Sequence, residues 1–192
     1  MITGKPMLEK MLTAVGEQLA QRSASASIVV LGGAALNLLG VVDRATRDVD
    51  VVARLDDESN ALRPPDPLPQ PLRDAIARVG VDFGEPTSWM NTAVAQQWAT
   101  GLPPGLETRV AWQDFAALRV GLVAREDLIA FKLYASADQT GPDSVHVRDL
   151  LALRPTPQHL ADAAAWIRTQ DVSPEFHAVV ERVVSYVESH SI

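Results

Sequence analysis

Leu31-Gly32-Gly33-Ala34-Ala35-Leu36 continues through Arg44-Ala45-Thr46-Arg47 into Asp48-Val49-Asp50-Val51-Val52, and the reading of this stretch decides the fold. Ahead of it, Ile28-Val29-Val30-Leu31 is an apolar run that reads as a strand. The diglycine breaks that run, a short helix-like segment follows, and a second apolar run opens with carboxylates at i and i+2. Side chains two apart on a strand share a face, so Asp48 and Asp50 project together while Val49 and Val51 enter the core. Two acids held side by side repel unless a cation lies between them. A hard divalent ion such as Mg²⁺ takes carboxylate oxygens and phosphate oxygens together. Gly32 and Gly33 let the backbone reach unusual dihedrals and let a ligand come close, and the exposed amides of the helix start can receive a phosphate.

Outward from this stretch, Met7, Leu8, Met11, Leu12, Val15 and Leu19 recur at three- and four-residue steps. They predict an amphipathic helix over about residues 6–22. Strands are expected over about 27–31 and 48–53, with a helix of about two turns at 34–39 between them. The segment from Arg63 to Pro71 has five prolines in nine residues, which excludes a helix or central strand. It reads as a stiff extended connector in preference to a ligand for a proline-binding partner. Residues of about 71–79 and 88–100 look helical, and Pro103-Pro104-Gly105 breaks the chain before two strand candidates, Leu106–Trp112 and Leu118–Val123. From Glu126 onward the pattern is helical, interrupted at Gly141-Pro142. Pro157 and Pro174 each open a helix with a hydroxyl residue, Thr156 or Ser173, just before it. The sum is a small mixed sheet of about four strands in the α+β or α/β range.

A length of 192 residues suits one domain, or one domain with a helical appendage, and buries a real core. The absence of cysteine excludes disulfides, zinc-thiolate sites and cysteine nucleophiles. The first residues lead into an amphipathic segment, and no run approaches the roughly 20 apolar residues of a membrane span, so a cytoplasmic protein with no membrane partner is expected. A net charge of -7 argues against a broad nucleic-acid-binding surface, although Arg44, Arg47 and Arg54 flank the two aspartates as a local basic patch.

A diglycine at a strand end, a short helix and a following Asp-x-Asp strand resemble the signature of the nucleotidyltransferase fold. Fourteen residues separate Gly33 from Asp48, enough for one short helix and a loop. More closely, Gly32, Gly33, Ala35, Leu36, Gly40, Arg44, Thr46, Asp48 and Asp50 resemble the minimal nucleotidyltransferases of the AbiEii toxin group and their bacterial relatives. A second block is similar to theirs: Glu126, Asp127, Leu128, Lys132, Leu133 and Ala135, then Arg148, Asp149 and Leu150.

The resemblance covers about residues 28–52 and 118–153. It implies a nucleotidyltransferase core over 1–124 and a helical C-terminal part over 125–192 packed on it. It implies an NTP substrate whose triphosphate is held by Gly32 and Gly33, with Arg44, Thr46 and Arg47 beside it, and Mg²⁺ held by Asp48 and Asp50. Lys132 would contact phosphate, and Asp149 would orient that lysine or help a hydroxyl nucleophile lose its proton. The acceptor would be an RNA such as a tRNA end, a protein or a small molecule, and an antitoxin would be a partner. The loop from Ser136 to Val145 departs from the toxin pattern in not being rich in arginine and lysine. Glu107, on a strand candidate, is the substitute if a third carboxylate is needed.

Each feature has a plainer reading. Asp48 and Asp50 could be solvated acids beside Arg44 and Arg47, Lys132 could reach solvent, and Asp149 could pair with Arg148 or Arg125. His146 suits a helix start better than a proton shuttle. Trp89, Trp98, Trp112 and Trp166 suit cores, and nothing in their spacing selects one to stack on a base. A non-catalytic binding or regulatory protein of the same fold is the alternative function. A two-metal phosphoesterase would need more histidine and acid clusters than the chain has.

Overall fold

In the computed structural model, residues 1–56, 58–138 and 144–190 are described. Among them are eight α-helices and a six-stranded open mixed sheet, an α+β fold whose C-terminal part is helical. The chain divides into two compact units, residues 1–100 with 107–123, and residues 101–106 with 124–192. The Gly141-Pro142 interruption lies outside the described residues. No helix among them is long and apolar enough to cross a membrane.

The first unit holds α1 (Gly4–Ala20), β1 (Ala26–Leu31), α2 (Gly32–Leu38), β2 (Val49–Leu55), β3 (Leu62–Arg63), α3 (Gln70–Phe83), β4 (Met90–Asn91), α4 (Gln96–Thr100), β5 (Ala111–Phe115) and β6 (Leu118–Leu122). The sheet runs β3-β2-β1-β6-β5, with β4 beside the start of β2. β1 pairs antiparallel with β2 and parallel with β6. Ile28, Val29 and Val30 are all fully buried, so β1 is covered on both faces, as a continuous apolar run in a central strand requires. Along α1, Leu8, Met11, Leu12, Val15 and Leu19 form the buried stripe that the periodicity predicts. α3 starts with Pro71 in its first turn and ends on Gly84 at φ 70°, the left-handed cap that glycine adopts without strain.

Two expectations are corrected here. Residues 88–100 do not form one helix: Trp89 and Met90 are buried in succession, Met90–Asn91 is a strand on β2, and only Gln96–Thr100 is helical. Trp89 is held there by its indole N–H, which donates to the Ile76 carbonyl at 2.9 Å. The strand expected over Leu106–Trp112 lies further along, at Ala111–Phe115. Leu106–Thr108 is instead a 3₁₀ turn, because the Pro-Pro-Gly break carries on into it and buries Leu106 as its anchor. Glu107 is therefore exposed on a turn and not on a strand.

The second unit holds α5 (Arg125–Asp138), α6 (Val145–Ala152), α7 (Pro157–Gln170) and α8 (Pro174–His190). α5 packs against the other three. Phe131 meets Trp166 edge-on at 5.5 Å between centroids, and Tyr134 meets Phe176 at 5.8 Å. α7 starts with the Thr156 cap and Pro157, its hydroxyl accepting from the His159 amide at 3.2 Å while His159 Nδ1 accepts from the Thr156 amide at 3.2 Å.

In the first unit, a Cβ on Gly16 would lie 1.7 Å from the Phe115 carbonyl oxygen, so α1 touches the end of β5 only because that residue is glycine. Gly16→Ala is expected to destabilise the protein by about 1–3 kcal/mol, seen as a lower urea midpoint. A gain in stability, the usual result of Gly→Ala on an open helix face, would mean that α1 does not lie there.

Candidate active site

β1 ends at Leu31, and antiparallel pairing sets Leu31 opposite Asp50. Asp50 thereby faces the turn that starts at Gly32. Gly32 has φ 75°, and a Cβ on it would lie 2.7 Å from Asp50 Oδ2. Both the dihedral and the close carboxylate demand glycine. Gly33 is required differently: a Cβ there would lie 2.7 Å from Thr46 Oγ1 and 3.3 Å from an Arg44 guanidinium nitrogen. The diglycine, Asp50, Thr46 and Arg44 are thus one cluster, drawn from two strand ends and the connection between them.

That connection is fixed from two sides. Thr46 exchanges both backbone hydrogen bonds with Ile2 at 3.0 Å, and its hydroxyl donates to the Asp48 carbonyl at 3.1 Å. Asn37, fully enclosed in α2, donates to the Gly33 carbonyl at 2.9 Å and accepts from the Arg44 amide at 3.4 Å. Asp48 stands one residue before β2, half-buried, and Arg47 beside it is exposed. Val49, Val51 and Val52 are fully buried, so β2 is anchored through both faces. On its outer edge β4 pairs parallel, with Asn91 opposite Asp50.

Within the second unit, Lys132 Nζ donates to Asp149 Oδ2 at 2.7 Å, with side chains 6% and 2% exposed. Lys132 therefore does not reach solvent. Arg125 donates from Nε to the Leu153 carbonyl at 2.7 Å and also binds the Arg154 carbonyl. It ties the start of α5 to the end of α6, the two helices that carry the pair. The Ser144 hydroxyl accepts from the Val147 amide at 3.2 Å and caps α6.

Among the described residues no group of three or more His, Cys, Asp or Glu side chains is placed to hold a metal. The Asp50 carboxylate is the hard-oxygen donor of this cluster, and Asp48, two residues before it on the chain, carries a second carboxylate. This suits Mg²⁺, which commonly takes one or two carboxylates and completes its shell with phosphate oxygens and water. Zinc or copper would prefer imidazole or sulfur.

A protein family described as nucleotidyltransferase of unknown function (DUF6036) matches residues 9–151. The chain belongs to this family. No curated protein and no solved structure matches it significantly. The matched span of this nucleotidyltransferase family runs from α1 to α6 and takes in both the diglycine cluster and the Lys132–Asp149 pair.

Sequence reasoning missed Asn37 and Asn91. Asn37 was visible only as a polar residue inside an apolar segment, Ala34-Ala35-Leu36-Asn37-Leu38, where a buried amide must find partners. Asn91 was hidden by the helix expected over 88–100.

Two stability measurements test these clusters. Gly33→Ala should cost about 1–3 kcal/mol, and Thr46→Ala in the same chain should restore part of it, a coupling that simple additivity would refute. Lys132→Met, which takes the ammonium away from the buried Asp149 carboxylate, should cost about 3–5 kcal/mol, and Lys132→Met/Asp149→Leu should cost less than the single change. Equal loss in both variants would mean that the pair is not a closed unit.

Proposed function

We propose that the protein is a Mg²⁺-dependent nucleotidyltransferase that moves a nucleoside monophosphate from an NTP to a hydroxyl acceptor. The observation that carries this reading is the seat of the Asp50 carboxylate directly over Gly32, with Thr46 and Arg44 over Gly33. An acidic group, a cation and side-chain-free backbone lie side by side there, which is what a metal-bound triphosphate needs. Asp48 and Asp50 would hold Mg²⁺, and when bound the ion supplies charge neutralisation on the triphosphate oxygens.

In the transfer, the acceptor hydroxyl gives its proton to solvent, its oxygen forms a bond to the α-phosphorus, the bond from that phosphorus to the bridging oxygen breaks, and pyrophosphate leaves with the electron pair. The backbone of Gly32 and Gly33 lets the phosphates approach, and Arg44, with Arg47 and Thr46 nearby, offers donors to their oxygens. Lys132 is assigned a phosphate contact by the AbiEii-like resemblance. Asp149, with one carboxylate oxygen already accepting from Lys132 at 2.7 Å, is assigned the orienting of that lysine. The same resemblance supports an RNA, a tRNA end included, a protein side chain or a small molecule as acceptor. It also supports a toxin role in which an antitoxin is the partner.

A second reading, a non-catalytic nucleotidyltransferase-fold binding or regulatory protein, is favoured by one observation. No third carboxylate joins Asp48 and Asp50 among the described residues. Transfer of label from α-labelled NTPs separates the two. Asp48→Ala and Asp50→Ala are each expected to lower transfer by about a thousandfold, several kcal/mol of charge stabilisation, while circular dichroism stays that of the parent. Equal labelling by parent and variants would refute the metal assignment, and absence of nucleotide binding in calorimetry with Mg²⁺ would favour the second reading.

A further inference from the structure

Four tryptophans could stack on a base, and the structure separates them. Trp89 is 1% exposed with its N–H bonded, and Trp166 is 7% exposed inside the Phe131–Tyr134 aromatic group. Trp112 is covered by Arg119, whose guanidinium carbon lies 4.7 Å from the ring centroid. Trp98, on α4, is half-exposed and has neither a ring contact nor a side-chain hydrogen bond among the described residues.

The helix that carries it, α4, lies against β2, the strand that carries Asp50. β4 pairs with β2 so that Asn91 is opposite Asp50, and Asn91 Oδ1 then accepts from the Ala93 amide at 2.8 Å. That turn returns the chain to α4, which lies against β2. The residue before the tryptophan adds a second observation: Gln97 Oε1 is shielded from water and has no hydrogen-bond partner. A shielded acceptor without a donor is costly. Gln97 is itself half-exposed, so rotation of its flexible side chain would bring that oxygen to a donor outside the protein.

We propose that Trp98 and Gln97 form the nucleobase subsite, Trp98 stacking on the base and Gln97 Oε1 accepting from the amino group at position 6 of a purine or position 4 of a pyrimidine. This rests on the nucleotidyltransferase reading of the diglycine cluster. Adenine offers a 6-amino group and cytosine a 4-amino group, whereas at the same positions guanine and uracil carry carbonyl oxygens that would repel Oε1, guanine's amino group standing at position 2 instead. The substrate class is therefore an adenine or cytosine nucleoside triphosphate. Stacking is indifferent to base identity, so selectivity falls to the amide.

The test uses the full chain with Mg²⁺ and measures binding of ATP, CTP, GTP, UTP and inorganic tripolyphosphate by calorimetry and tryptophan fluorescence. ATP or CTP should bind about tenfold or more tightly over GTP and UTP. Trp98→Ala should weaken nucleotide binding by roughly ten- to a hundredfold and leave tripolyphosphate binding unchanged, while Trp98→Phe keeps most of the affinity. Gln97→Leu should erase the preference among bases, and it decides the matter alone if Trp98→Ala does not fold. Nucleotide binding unaffected by the three variants, or a preference for GTP or UTP, overturns this subsite and leaves the transferase reading standing. If the parent protein binds neither nucleotides nor tripolyphosphate, both fall.

Discussion

The interaction on which the candidate site depends is the close approach of the Asp50 carboxylate to the backbone of Gly32. It exists because Leu31 and Asp50 are paired across β1 and β2, and that register is held by side chains on both faces of the strands. Val49 and Val51 are fully buried and Val52 is buried on the opposite face. A slip of one residue would turn Asp50 into the core and expose a valine, so the hydrophobic anchoring of β2 also aims its carboxylate. The ladder shifts register between Val29 and Val30, just before the turn. An irregularity there re-aims the strand end at the point where Gly32 leaves it.

How much of this was legible depended on whether one element or several carried the signal. α1 buries a stripe at the helical period, while β1, β2 and β6 bury short near-continuous apolar runs, and both patterns are readable in the sequence to within a few positions. The strand expected at Leu106 failed because alternation over Leu106-Glu107-Thr108-Arg109 imitates a strand, while the preceding Pro-Pro-Gly turn keeps those residues out of the sheet. β5 takes its place from pairing with β6, in which Ala111 meets Leu122 and Phe115 meets Leu118. Short strands such as Met90–Asn91 owe their conformation to the neighbour they join and have no length over which a period could show.

At the candidate site, the glycines and aspartates were legible because their chemistry is unusual in any context. The reason for two glycines was not, since one answers to a carboxylate across a ladder and the other to Thr46 and Arg44 on a connection. Asn37 escaped notice for a related cause: its role is to join two backbone segments, Gly33 and Arg44, and that role exists only after both are placed. Lys132 was ambiguous in sequence because a lysine on an apolar helix can extend its stem to water. Its ammonium is instead enclosed with Asp149, a state that requires the partner to be present.

A donor set of two carboxylates has a consequence for how such a site would work. Mg²⁺ needs six oxygens in near-octahedral order and gives up water reluctantly, so two aspartates alone cannot form a complete cage. The remaining oxygens would come from the nucleotide and from solvent, which makes metal and nucleotide affinities mutually dependent. Arg44 would work in the same direction, since its guanidinium beside Gly33 would offset the negative charge that two aspartates and a triphosphate bring together. A chain with a net charge of -7 repels polyphosphates at long range, so any attraction must be local. The Arg44 guanidinium beside the diglycine backbone is where such local attraction would be concentrated, and Thr46, whose backbone is pinned by Ile2, holds the connection in place.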